Sequence, residues 1–157
     1  MKNSIITTIL ALTLFFVGCS TNNTSNNPVT PTDQALITLA AATGTELAVQ
    51  NNPSYTPYFL GAEQVLLSIS TGTNAISATT VEAALTSGGV TNVAVASAIT
   101  EAIQLGDSYI TSNTSGTNTS LQIVELRIVC GDVGAGIQQG LALAGKVTIT
   151  TTTTSNK

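Results

Sequence analysis

Apolar residues recur every three or four positions from Ile123 to Ala144, and this phase constrains the fold of the chain more than any other feature. Ile123, Leu126, Cys130, Val133, Ile137, Leu141 and Ala144 keep the spacing throughout, as one face of an α-helix does. Glu125, Asp132 and Gln139 repeat every seven positions on another face. Leu121 to Cys130 taken alone would also suit a strand, and the glycines that follow weaken a helix. The longer phase favours the helix.

Helix starts and stops succeed one another ahead of this segment. Pro31-Thr32-Asp33 offers a capping hydroxyl and an early acid before an Ala/Leu-rich run. Leu36, Leu39, Ala40, Thr43 and Leu47 then lie along one face, up to the breaker Asn51-Asn52-Pro53. Thr56-Pro57 starts the next helix, with Thr56 as its cap, and Thr71-Gly72 stops it. Thr79-Thr80-Val81-Glu82 fits a capping box for a short helix ending at Gly88-Gly89. Asn92 caps a fourth helix with Ala96, Ile99, Ile103, Gly106 and Ile110 inward. Ser97, Thr100, Glu101, Gln104 and Asp107 lie on its outer face. Ser112 to Ser120 reads as a loop. Short loops between amphipathic helices predict an all-α fold, a small bundle of four to five helices spanning residues 33–147.

Around that body of about 115 residues, enough for one hydrophobic core, stand segments of other character. Residues 20–32 hold almost nothing apolar and read as a flexible tether, and residues 148–157 as a Thr-rich disordered tail. Residues 1–18 form an export signal, with Lys2 as a positive start and Ile5 to Phe16 as a short apolar core. Phe16-Val17-Gly18-Cys19 closes it. This ending resembles the lipobox of bacterial lipoprotein precursors, with Phe16 where that family usually has Leu. The resemblance covers residues 1–19 only. It implies cleavage before Cys19, diacylglycerylation of the Cys19 thiol, and acylation, palmitate-type, of the new amino terminus. Ser20 after the cysteine implies, by analogy with Gram-negative lipoproteins, an outer membrane facing the periplasm.

The net charge is −4, and only 8% of residues are charged. Without Lys2 it becomes −5, with Arg127, Lys146 and Lys157 set against eight carboxylates. No basic stripe exists to attract nucleic acid or anionic lipid, so membrane attachment falls to the acyl chains on Cys19. With Cys19 lipidated, Cys130 has no disulfide partner within the chain.

The chain contains no histidine, which removes the commonest general base and metal ligand. Glu101 with Asp107, or Glu125 with Asp132, could meet in space, but their spacing fits solvated helix faces better. Gly131-Asp132-Val133-Gly134-Ala135-Gly136 lacks the glycine spacing and the Gly-Lys-Ser/Thr of phosphate-binding loops. Gly136 and Gly140 fit the close approach of a neighbouring helix, or a kink. Cys130, on the apolar stripe, reads as a buried thiol. Pro53 to Phe59 gathers Tyr55, Tyr58 and Phe59, which read as core filling near a helix start rather than as a recognition patch.

These readings predict no catalytic residue, no metal site and no cofactor, with Cys19 as the single site residue. They describe a lipid-anchored envelope protein whose helical body is a non-catalytic interaction or structural module with an envelope protein as partner. One alternative is a phage- or prophage-encoded lipoprotein that blocks an envelope receptor or channel. The other is an envelope hydrolase, which needs two or more of Glu63, Glu82, Glu101, Asp107, Glu125 and Asp132 in one concave pocket.

Overall fold

The computed structural model describes residues 29–74, 76–113 and 119–148. The export signal, Cys19, residues 20–28 and the tail beyond Thr148 lie outside the described residues. Five α-helices and no strand make up the described chain, an all-α bundle as the periodicity predicts. They are α1 (Pro31–Asn51), α2 (Thr56–Thr71), α3 (Ala78–Ser87), α4 (Val93–Asn113) and α5 (Thr119–Leu143), with a 3₁₀ turn at Pro53–Tyr55.

Helix α1 begins two residues earlier than Thr32 would place it. Thr30 is extended and caps it: the Asp33 N–H donates to Thr30 Oγ1 at 3.3 Å, and Thr30 N–H returns a bond to Asp33 Oδ2 at 2.9 Å. Pro31 occupies the first helical position, where its missing N–H costs nothing. Val29 is only 4% exposed. The packed body therefore includes Val29, and residues 29–32 belong to it rather than to a tether.

Two other starts differ from expectation for local reasons. Asn52 caps the 3₁₀ turn through Ser54, and the turn runs straight into α2. Thr56 is already helical, so its hydroxyl donates back to the Pro53 carbonyl at 2.8 Å instead of capping. In α3 the reciprocal box is Ser77 with Thr80, which leaves Glu82 exposed. Asn92 does cap α4, accepting from the Val95 N–H at 3.2 Å. The expected 112–120 loop is shorter, because α4 extends to Asn113 and α5 begins at Thr119.

Helix α5 is the axis of the bundle, packed chiefly on α1 and α2 and also on α4. Leu126, Cys130, Val133, Ile137 and Leu141, all on its predicted stripe, are buried. It runs parallel to α1, since Gly136 meets Thr38–Ala42 and Gly140 meets Ala42–Thr45. It runs antiparallel to α2, since Gly131 meets Ser70 and Gly134 meets Leu66 and Leu67. A Cβ on Gly136 would stand 2.5 Å from the Ala41 Cβ, and one on Gly140 would stand 2.7 Å from the Thr45 Cβ. Close backbone approach thus accounts for both glycines.

That approach also corrects the predicted face of α1. Ala40, Ala42, Thr45, Ala48 and Val49 are buried, whereas Leu39 and Leu47 are 56% and 42% exposed. A helix pressed against glycines must present small residues there, and Leu39 and Leu47 are turned outward. Among the described residues no helix is long and apolar enough to cross a membrane.

Candidate functional site

Helices α1 and α4 flank a cavity of about 140 Å³ that is partly open to solvent. Ile37, Ala40, Ala41 and Gly44 form the α1 wall, and Ala98, Ala102, Leu105 and Gly106 the α4 wall. Val129, Val133 and Ile137 of α5, together with Phe59 of α2, Leu36 of α1 and Ile99 of α4, supply further aliphatic and aromatic surface. Among the described residues Asp33 is its only charged lining residue, and Thr45 and Tyr109 add hydroxyls. The small residues explain the space. Ala98, Ala102 and Gly106 recur every four positions, so α4 presents no large side chain along that line.

One end of the cavity carries the entry of the chain into the body. Val29 lines the wall, and its N–H donates to Glu125 Oε2 at 3.1 Å across 96 residues of sequence. Glu125 is 1% exposed, so the expectation of a solvated helix face fails for it. Burial raises its pKa, and the Val29 hydrogen bond partly opposes that rise. The acid lies on the same side of α5 as the preceding segment of chain, a long-range contact that helical spacing cannot reveal.

The other predicted carboxylates do not assemble. Glu82 and Glu101 are exposed. Glu63 bonds to Gln138, and burial raises its pKa. Asp132 has one carboxylate oxygen buried without a hydrogen-bond partner, and burial pushes its pKa up to about 6. None of Glu63, Glu82, Glu101, Asp107, Glu125 and Asp132 lines the cavity. Among the described residues no group of three His, Cys, Asp or Glu side chains could hold a metal ion.

Cys130 is fully buried, and burial drives its thiol pKa up to about 12, far from the range of a reactive thiolate. Phe59 is buried, while Tyr55 and Tyr58 pack against the core at partial exposure. Asp132 and Gly134 lie within α5, in helical conformation rather than in a phosphate-binding loop. Thr100, placed by its spacing on the outer face of α4, is 6% exposed with its hydroxyl unpartnered. Arg127 reaches the Asn74 carbonyl and pins the α2–α3 connection to α5. No sequence signal pointed to that contact. The four-residue spacing of Ala98, Ala102 and Gly106 was the one trace of the cavity.

Cys19, the predicted lipidation site, lies outside the described residues. No family model matches the chain, and no curated protein or solved structure matches it.

Proposed function

We propose that this chain is a lipid-anchored bacterial envelope protein, attached through Cys19, whose helical body serves as a non-catalytic interaction or structural module. The observation that carries the reading is the ending Phe16-Val17-Gly18-Cys19 after a short apolar segment with Lys2 at its start. The position of Val29 supports it. Val29, ten positions after Cys19, is already packed, which keeps the body within about 35 Å of the anchoring cysteine. Ser20 favours an outer membrane facing the periplasm.

Metabolic labelling with a fatty acid tests the anchor directly. Label is expected on the wild type and none on Cys19→Ser. Persistent label on the variant, or none on the wild type in its native host, refutes the reading. The interaction half is tested with the processed, folded protein as bait on envelope extracts. Retention of no specific partner counts against it.

A further inference from the structure

We propose that the cavity between α1 and α4 houses the terminal part of one hydrocarbon chain of the lipid carried by Cys19, the other chains remaining for the membrane, an inference that rests on the anchoring read above.

The chemistry of the wall selects hydrocarbon. Its surface is almost wholly aliphatic and aromatic. Asp33, the single charged side chain among the described lining residues, is already engaged, its Oδ2 accepting from both the N–H and the hydroxyl of Thr30. A dry cavity of about 150 Å³ with comparable apolar lining is known to admit small hydrocarbons, so the space here suits an apolar guest.

The shape selects a slender chain. The α4 wall runs from Ala98 to Tyr109, about 16 Å along a helix axis; Ala98, Ala102 and Gly106 line it at four-residue intervals, flanked by Ile99, Leu105 and Tyr109. An extended alkyl chain matches such a slot better than a broad ring system does.

Charge and address select the source. A free fatty acid brings a carboxylate and a phospholipid a phosphate, and among the described residues the cavity offers them no cation but a carboxylate, Asp33. Acyl chains on a lipidated cysteine are joined through neutral linkages. The chain also enters the body in the cavity wall, at Val29, with its position fixed by the bond to Glu125. Ten residue steps from Cys19 to Val29 can extend to about 35 Å, twice the length of the slot. Attachment this close raises the effective concentration of the acyl chain at the cavity far above that of a free lipid.

The test uses the full-length protein produced in cells fed a diazirine-bearing palmitate analogue, then irradiated and mapped by peptide mass spectrometry. Crosslinks are expected from the Cys19 lipid to peptides containing Ala98–Tyr109 or Leu36–Thr45, with a yield unchanged on dilution. Ala102→Phe fills the slot: it should keep the label on Cys19 and lose those crosslinks. Ala98→Leu serves the same purpose if the phenylalanine variant fails to fold. Label on Cys19 with crosslinks only elsewhere, or crosslinks that vanish on dilution, overturns the cavity proposal while leaving the anchor standing. Uptake of free photo-palmitate by Cys19→Ser, with no cavity crosslink from the attached chain, also overturns it. Absence of label from Cys19 overturns both.

Discussion

Glu125 and Asp132 share a face on the helical wheel of α5 but meet different surroundings. Glu125 is buried against the Val29 N–H. Truncating it to Ala leaves a buried donor unsatisfied and a void beside Leu126, at a cost of about 2–4 kcal/mol. Glu125→Gln keeps an acceptor without the buried charge and should hold stability near the wild type. Urea melts of the two variants at neutral pH check this, and equal losses would refute the role given to the hydrogen bond. Asp132 tests the electrostatics. Its pKa rises from the ordinary 3.8 to about 6 on folding, so the folded state holds the proton more tightly than the unfolded chain does. Its contribution is therefore most favourable below about pH 4 and declines as the pH climbs towards 6. Asp132→Asn should flatten that decline and raise stability at neutral pH by on the order of 1 kcal/mol, once solvent screening is allowed for. Thermal melts across the acid range decide it, and an unchanged pH profile would refute it. The seven-residue recurrence of Glu125, Asp132 and Gln139 is real, yet it cannot say which members of a polar row a neighbouring segment will cover.

At the scale of elements, both helices were legible, but the inward face of α5 was and that of α1 was not, for one reason seen from two sides. The stripe on α5 consists of large aliphatic residues at regular spacing, and size alone marks its inward face. On α1 the inward face is marked by smallness. Ala42 and Thr45 lie against Gly136 and Gly140, and a rule that sends leucine inward assigns Leu39 and Leu47 to the wrong side. The glycines themselves carried the missing information, since their four-residue interval fits a close helix contact. Gly136→Ala should destabilise the fold by about 1–3 kcal/mol through overpacking, because the new methyl meets Ala41 and the Thr38 carbonyl. Gly72→Ala, where a Cβ meets only backbone oxygens at 3.4 Å, is the matched control and should change little. Denaturant midpoints of the pair check the claim, and similar values for both would refute the close-packed contact. The end of α3 was legible at Gly88-Gly89, whereas the end of α5 before Gly145 was not read from the sequence. Gly89 and Gly145 have φ of +88° and +69°, and the Val90 and Lys146 N–H groups close back onto Leu85 and Leu141.

For the whole molecule the sharpest question is where the folded body begins. Composition alone draws the line at Asp33, since the preceding stretch is polar and broken by Pro28 and Pro31. The packing places it no later than Val29. This residue contributes a buried side chain to the core, a donor to Glu125, and the start of a segment whose next residue, Thr30, caps α1. None of these is visible in a hydrophobicity pattern, because a single valine among Asn, Pro and Thr carries no periodicity. Two fragments separate the boundaries: residues 27–148, which retain Val29 within a peptide bond, and residues 33–148. The shorter one loses the burial of Val29, about 1.5–3 kcal/mol. It also loses the Thr30 cap, about 1 kcal/mol, and leaves Glu125 without its donor. A difference of about 3–6 kcal/mol is expected by chemical denaturation, with the longer fragment matching the stability of the chain beginning at Cys19. Equal stability of the two fragments would return residues 29–32 to the tether. It would also remove the fixed entry point that ties the cavity to the anchored end of the chain.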